Sequence, residues 1–540
     1  MILLIKMENY DNDEWNETDS LVKLNKNSFT TLNSSTTYQK NITTNLDNSN
    51  ISIFEKFACN TSLIFGPALI CLPFLIQKCG IIPTLISMII LTVLSFIVSQ
   101  CLIDSNRLIN GIKATTTKCL SYSNLVDNLV DDTFFSISMK FGIATNHFIY
   151  SLLCLITLSQ IVIYYNTFHL STFFNESVLN LYLKNLLIVS IVISFFCLMF
   201  IINSITNRRI TSVLIIIFSF LAAGHIIVHC YMNRNSFKMK NIPLIGNDFS
   251  LLYGTLIFSY CFISALPMWI CENDLKGSNK KTRTIIKNSL GYATMFKLLF
   301  MFAFGYLLYT SNIFTISSFH TMENTNAYLV NFLFFFFAFL LLQSSYNHIT
   351  LLYHTVSNET RSKGFALSSV LLTFFICYLF LIIANKTMFI QVINWSSIFL
   401  FGIVNFILPL FLYIEAINKT ELFETNYIQS AMMDYETFVR GAVIECQDQS
   451  DEIVNLLINE KQQKEKVIYY IYAIEGYYSI KESIKTIFGF GIVEIGIKKV
   501  KYVIYAIISC IFVLMFTSLY ISLYKYFMQK TLVVNIFIQI

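Results

Sequence analysis

The sequence predicts an all-α membrane protein with about eleven transmembrane helices, and three observations support this. The 540-residue chain is 55% hydrophobic and 13% charged, whereas soluble domains carry about 25% charged residues. Its mean hydropathy is +0.62, and apolar runs long enough to cross a bilayer recur along it. A water-soluble globular fold is therefore excluded. The net charge of +5 suits cytoplasmic loops, so it does not imply a nucleic-acid partner.

The apolar runs define the predicted spans in chain order. They cover residues 57–76, 81–103, 143–165, 184–203, 210–230, 249–271, 286–310, 326–354, 365–385, 391–414 and 502–525. A cytoplasmic N-terminus places most of the loop Lys and Arg residues inside, which the positive-inside rule favours. The protein is then a multi-pass integral membrane protein of the plasma membrane or of a vacuolar or other organellar membrane.

Four regions follow from these spans. Residues 1–54 form a polar, Asn-rich segment that is predicted to be a disordered cytoplasmic tail. Residues 55–414 hold the first ten spans, and residues 501–540 hold the last span and a C-terminal tail. Residues 415–500 are predicted to be a cytoplasmic insertion, since their apolar piece TIFGFGIVEIG is too short to cross a membrane.

Helix breakers mark the first and sixth spans. The chain has only 6 prolines; Pro67 and Pro73 fall in the stretch FGPALICLPF of the first span, and Pro267 falls in the sixth. An interior proline removes a backbone donor and clashes with the preceding turn, so each span is either kinked or unwound. The two spans are five apart, which would invert a second set of five helices. Broken spans at matching positions of inverted halves indicate a transporter site.

The segments around these breakers resemble the amino acid/auxin permease family. The stretch GPALICLPFLIQKCG is similar to the family's opening motif through Gly66, Leu69, Ile70, Leu72, Pro73 and Gly80. The sixth span resembles a second motif through Leu266, Pro267 and Glu272, the last of which is one residue late, and the tenth span a third through Gly402, Phe406, Ile407, Leu408 and Pro409. Ala68 stands where the family has a second glycine.

This resemblance covers about residues 55–415 and the last span. It implies a leucine-transporter-like fold of the amino acid–polyamine–cation superfamily: two inverted five-helix repeats with broken helices 1 and 6, and an eleventh helix. It also implies a symporter that moves amino acids together with H+ or Na+ and that needs no other cofactor. The substrate-binding residues are then expected to be Gly66, Pro67, Ala68, Leu69, Cys261, Ser264 and Pro267.

The eighth span carries a polar face within an apolar run. Gln343, Asn347, Thr350 and His354 recur at helical spacing, with Ser344 and Ser345 beside them. In the implied fold this helix runs next to the first one. Ser344 and Ser345 could then hold the coupling cation together with the backbone of Phe65. Hydrogen bonding between helices explains the same face equally simply.

Other classes of function are less well supported. The polar stretches contain no nucleotide-binding loop and no zinc-ligand pattern, which argues against a pump driven by ATP and against a metalloenzyme. An acyl or glycosyl transferase would need catalytic side chains clustered at one membrane face, and an enzyme is therefore not expected. A carrier of another small solute and an amino acid sensor stay open, the sensor because the tail and the insertion exceed what transport requires. The oligomeric state and a disulfide between Cys79 and Cys230 also stay open.

Overall fold

The computed structural model describes residues 53–112, 121–171, 205–232, 243–246, 248–267, 269, 279–308, 327–383, 392–419 and 497–539. The predicted fourth span and nearly all of the predicted tail and insertion lie outside these residues, and the last two positions of the tail, Ile53 and Phe54, begin the first helix. Within them, every regular element is helical.

Twelve helices are described in this part of the chain. They are α1 (Ile53–Phe65), α2 (Leu72–Cys79), α3 (Ile81–Ile112), α4 (Tyr122–Leu129), α5 (Thr133–Ser171), α6 (Ile205–Met232), α7 (Leu252–Ser259), α8 (Asn279–Leu308), α9 (Ala327–Thr360), α10 (Lys363–Ile383), α11 (Val392–Lys419) and α12 (Ile497–Gln539). Short 3₁₀ turns, Pro67–Cys71 and Ile263–Ala265, follow α1 and α7. Two π-helical turns, Ser397–Phe401 and Ile403–Ile407, lie inside α11.

The apolar character of these helices confirms the predicted all-α membrane protein. Among the described residues, 7 helices are long and apolar enough to cross a membrane, and α1 with the segment after it makes 8. These match eight of the eleven predicted spans. The sixth predicted span forms only the shorter apolar segment Leu252–Ala265. Helix α8 forms at the predicted seventh span but is not among the eight, and the fourth span lies outside the described residues. The total of eleven therefore stays a prediction.

The first helix is broken at a glycine. Gly66 has φ 58° and ψ 171°, a backbone conformation that is almost confined to glycine. Pro67 then begins a 3₁₀ turn, where its missing N–H costs nothing, and Pro73 lies in the first turn of α2, where proline is also tolerated. The chain bends by 49° between the two parts. The breakers in FGPALICLPF thus end one helix and begin another.

The sixth helix is broken in the same way, although without a glycine. Helix α7 ends at Ser259, and residues 260–262 form a turn before Ile263–Ala265 continues as a 3₁₀ turn. Pro267 is buried just beyond it. Broken helices 1 and 6 are therefore confirmed in the described residues.

The packing of the helices relates the two halves to each other. Helix α1, the first span, packs against α6 and α8, the fifth and seventh spans. Helix α7, the sixth span, packs against the π-helical part of α11 and against α3, which are the tenth and second spans. These two partners of α1 thus correspond to partners of α7 displaced by five spans, while α1 also packs against α9, the eighth span. This correspondence is what two inverted five-helix repeats produce.

A short clasp joins the corner between α2 and α3 to the segment before α7. The N–H groups of Ile81 and Ile82 donate to the carbonyls of Pro243 and Leu244, both at 3.1 Å, and the N–H of Gly246 donates to the Cys79 carbonyl at 2.8 Å. Cys79 also donates its thiol to the Asp248 carbonyl. Neither Cys79 nor Cys230 is part of a disulfide, so the predicted pairing between them is wrong: the Cys79 thiol is instead part of this clasp.

Candidate functional site

The two helix breaks lie against shared neighbours. The turn Pro67–Cys71 packs against α5, α7, α8 and α9, and the turn Ile263–Ala265 packs against α3, α9 and the π-helical part of α11. Helix α9 therefore contacts both breaks. The expected substrate-binding residues Ala68, Leu69, Cys261 and Ser264 are all buried. The structure thus brings the residues expected from the first and sixth spans into one region.

Tyr150 of α5 fills the space beside the first break. A Cβ placed on Gly66 would lie 2.9 Å from the Tyr150 hydroxyl oxygen. The same hydroxyl accepts a hydrogen bond from the Ser344 Oγ at 3.4 Å. The Tyr150 ring stacks on the ring of His348, with a centroid separation of 3.9 Å. The bare backbone at Gly66 is therefore in contact with a buried polar group that is held by α9.

A pair of buried histidines lies beneath this tyrosine. The Nδ1 atoms of His147 on α5 and His348 on α9 are 3.0 Å apart, and the two residues are only 1% and 2% exposed. One ring must donate and the other must accept, so the pair holds one proton between the two nitrogens. This links the third and eighth spans through a bond that requires a defined tautomer on each ring.

A ring of hydrogen bonds fixes the second break. The Asn146 Nδ2 donates to the Ser264 Oγ at 3.1 Å, and the Ser264 backbone N–H donates to the Asn405 Oδ1 at 2.9 Å. The Asn405 Nδ2 donates to the Asn146 Oδ1 at 3.0 Å. Asn405 lies in the π-helical turn Ile403–Ile407, a geometry often found at functional sites. Ser264 is therefore held by α5 and α11 together.

Removing Asn405 from this ring should destabilise the protein. In Asn405→Leu the Ser264 N–H and the Asn146 Oδ1 lose their partners while buried, which costs about 1–3 kcal/mol for each group. A lowered midpoint of thermal unfolding in detergent would show this. Asn288→Leu, at an exposed position of α8, is the control and should leave the midpoint nearly unchanged. Equal midpoints for both variants would contradict the assigned ring.

Two of the three residues expected to hold a coupling cation contact other side chains instead. Ser344 donates its hydroxyl to Tyr150 and accepts from the Cys154 thiol at 3.8 Å. The Phe65 ring packs against Tyr292, Phe296 and Phe336. The Ser345 Oγ is buried and has no hydrogen-bond partner among the described residues. A cation set made of these three residues stays a prediction.

Other polar side chains in the first, fifth and eighth spans form hydrogen bonds between helices, which is the alternative explanation of the polar face of α9. Thr211 of α6 donates to the Gln343 Oε1 at 2.7 Å, and the Ser62 and Ser212 hydroxyls lie 3.1 Å apart. These bonds connect α1, α6 and α9. The Cys261 thiol is also satisfied locally, because it donates to the Ile257 carbonyl at 3.1 Å.

Asn60 on α1 differs from these residues. It is 0% exposed, and neither its Nδ2 nor its Oδ1 has a hydrogen-bond partner among the described residues. Buried amides are almost always paired, so an unpaired one needs an explanation such as a bound ligand or water. Asn60 and Ser345 therefore lie on two helices bordering the first break with polar atoms available for a ligand.

Lys297 on α8 contacts the second break and was missed from the sequence. It is 0% exposed. Its Nζ donates to the Ser259 carbonyl at 2.5 Å and lies 4.2 Å from the centroid of the Tyr260 ring. Ser259 ends α7, and Tyr260 is the first residue after it. A signal was present, since a lysine within an apolar run is a functional-site indication by itself.

Comparison with known proteins gives similarity of overall arrangement only. No protein-family model matches the chain, and no curated protein matches it. The solved structure of MHP1, a nucleobase-cation-symport-1 family transporter, in a closed conformation with bromovinylhydantoin bound, is 12% identical; the match covers 81% of this chain and 93% of that one, with a TM-score of 0.41. The manganese transporter of Eremococcus coleocola, in complex with an aromatic bis-isothiourea substituted compound, is 14% identical over 87% of this chain and 94% of that one, with a TM-score of 0.39.

At these identities and TM-scores, the substrates and sites of those two proteins are not assigned to this chain. The resemblance to the amino acid/auxin permeases likewise stays a prediction.

Proposed function

We propose that this protein is a secondary active transporter that moves amino acids across a membrane by alternating access. The observation that carries the proposal is the pair of buried helix breaks at corresponding positions of the two halves, both packed against α9. Neither 3₁₀ turn has a hydrogen bond from the side chain of its own N-cap residue, although Asn405 accepts from the Ser264 N–H in the second turn. Backbone groups freed inside a membrane must find partners, and solutes and ions supply them in transporters with broken helices.

The chemistry of the surroundings favours a solute whose own charges cancel. Tyr150, Ser264, Asn146 and Asn405 present uncharged hydroxyl and amide groups at or beside the breaks, and the Lys297 ammonium at the second break is already bound to the Ser259 carbonyl. A zwitterionic amino acid offers a carboxylate for N–H groups and an ammonium for carbonyls, and a broken helix has both. We therefore infer that neutral amino acids are the preferred substrate class, bound along Gly66–Leu69 and Cys261–Pro267.

The orientation is part of the same proposal. The N-terminus lies in the cytoplasm, which places the ends of α3 and α9 and the beginnings of α5 and α8 on the cytoplasmic side. This end of the described bundle carries ion pairs: Lys140 with Asp127 at 2.8 Å and with Glu359 at 2.7 Å, and Arg283 with Asp104. Charged side chains at one end of the helices suit a membrane–water boundary there.

Uptake into proteoliposomes tests the proposal. Purified protein would be supplied with labelled cationic, neutral and acidic amino acids, under an imposed pH gradient, a Na+ gradient or no gradient. Saturable accumulation of neutral amino acids is expected. Failure of folded protein to take up any amino acid would overturn the proposal. Saturable binding without uptake would instead identify a sensor.

Variants of the two unpaired polar side chains test most directly whether they contact the solute or its ion. Asn60→Ala and Ser345→Ala remove side chains that make no hydrogen bond in the described structure, so the unfolding midpoint should not fall. If these groups contact the solute or its ion, uptake at limiting substrate should fall about tenfold, the equivalent of one hydrogen bond. Ser368→Ala, at an exposed position of α10, is the matched control. Normal uptake by both site variants would exclude them from the site.

A further inference from the structure

Lys297 is a buried cation that no described carboxylate neutralises. None of the ion pairs among the described residues includes it, although its side chain is fully buried in the bundle. An isolated charge inside a membrane protein is expensive and is generally retained for a function. Its contacts, the Ser259 carbonyl and the Tyr260 ring, both belong to the end of α7.

The end of α7 attracts a cation to the place where the Lys297 ammonium lies. The last carbonyls of a helix have no partner within the helix, and they form the negative end of its dipole. The Tyr260 ring adds its negative face. That ring is itself fixed, because its hydroxyl lies 2.8 Å from the Thr92 Oγ1 on α3 and 3.4 Å from the Thr294 Oγ1 on α8. The ammonium thus joins α8 to the start of the second break.

We propose that Lys297 is the proton-binding group that couples transport to H+. In the protonated form its ammonium holds the end of α7 through Ser259 and Tyr260. When it releases the proton to water on the side to which the site opens, the neutral amine loses the attraction of the ring and of the helix end. Helix α7 is then free to move. This inference rests on the proposed transport function and names its coupling ion.

The surroundings favour a proton over Na+ at this position. A Na+ ion and a lysine ammonium both seek carbonyl oxygens, and the Ser259 carbonyl is already taken by the lysine. The titratable groups that face Lys297 are Tyr260, beneath the ammonium, and Cys261, the next residue along the chain, whose thiol donates to the Ile257 carbonyl. Among the described parts of α1, α2, α3 and α6, which also pack against α8, no acidic or basic side chain pairs with it. The nearest ion pair on the same helix involves Arg283, about 21 Å away along the axis at 1.5 Å per residue.

The first test measures the wild-type protein alone. Proteoliposomes containing a pH-sensitive dye would receive a mixture of neutral amino acids, first without Na+ and then with a Na+ gradient. Solute-dependent proton entry, with accumulation driven by a pH gradient, supports the inference. Accumulation that requires Na+ and moves no protons would overturn it while leaving the transport proposal intact. Absence of all solute movement would mean that transport itself is wrong.

The second test asks whether Lys297 is the group responsible. Lys297→Gln can still donate to Ser259 but carries no exchangeable charge. We expect its solute-dependent proton entry to fall at least tenfold, and the uptake that remains to be independent of pH between about pH 5 and pH 9. Lys297→Arg, which stays charged, should hold α7 permanently and lose both uptake and proton entry. Lys287→Gln, at an exposed position of the same helix, should behave like the wild type.

A structural lysine would give other results. Lys297→Gln would then change the amount of folded protein without changing the pH profile of uptake. Retention of proton entry by Lys297→Gln, at any level of folded protein above background, would overturn the assignment.

Discussion

Gly66→Ala should abolish uptake and destabilise the protein. The conformation at Gly66, with φ 58° and ψ 171°, costs a residue with a side chain about 1–3 kcal/mol. The added Cβ would also lie 2.9 Å from the Tyr150 hydroxyl. Tyr150 cannot easily withdraw, because its ring stacks on His348 and packs against Phe258. Crowding of this kind adds about 1–3 kcal/mol, so the midpoint of thermal unfolding in detergent should fall markedly.

The same substitution elsewhere provides the control. Gly224 lies on α6, is exposed, and a Cβ there would meet nothing within 4 Å. Gly224→Ala should therefore be neutral or stabilise the helix by up to about 1 kcal/mol. A Gly66→Ala protein with normal uptake and an unchanged midpoint would show that the first helix does not break at Gly66 as described.

Arg283→Met should cost about 3–5 kcal/mol, the usual result of leaving one partner of a buried ion pair alone. The Arg283 Nη2 lies 3.1 Å and 3.2 Å from the two carboxylate oxygens of Asp104. The two side chains are only 6% and 1% exposed. The pair joins α8 to α3, the seventh and second spans. Denaturation of the purified variant, followed by tryptophan fluorescence or by light scattering, measures the loss.

A second substitution should restore most of this stability. In Asp104→Leu/Arg283→Met neither side chain is charged, and apolar replacement of a buried pair is often neutral. The coupling energy from the double-mutant cycle should then be large. The exposed pair of Lys419 and Asp131, with side chains 27% and 87% exposed, is the contrast, since exposed pairs contribute about 0–1 kcal/mol. A double variant as unstable as Arg283→Met would contradict the expected compensation.

The parts of the fold that sequence reasoning predicted are those encoded locally. Apolar length predicted the helices, and the adjacent Gly66 and Pro67 predicted the first break, because each acts through its own backbone. Pro267 pointed to the second break, although residues 260–262, several positions earlier, carry the turn. The packing of α9 against the first break agrees with the resemblance, which implied that the eighth helix runs beside the first; its packing against the second break was not predicted.

The partners of the site residues could not be predicted, because they lie on distant segments. Ser264 was expected from its place in the sixth span, but its bonds to Asn146 and Asn405 cross 118 and 141 positions of the chain. Ser344 was expected to face a cation, yet its hydroxyl is used by Tyr150, one of 30 tyrosines in the sequence. Lys297 is different: a charge inside an apolar run is visible in the sequence and predicts a functional site as directly as the prolines do.

The clasp between residues 78–82 and 243–248 affects which sequences can encode this fold. Its hydrogen bonds use backbone groups, apart from the Cys79 thiol, so most side chains along it can vary over evolution without weakening it. The exceptions are Gly80, which has φ 88°, and Gly246, where any side chain would collide with the Lys78 carbonyl. A homologue could therefore diverge almost completely here and still be recognised by two glycines, one before α3 and the other after α6.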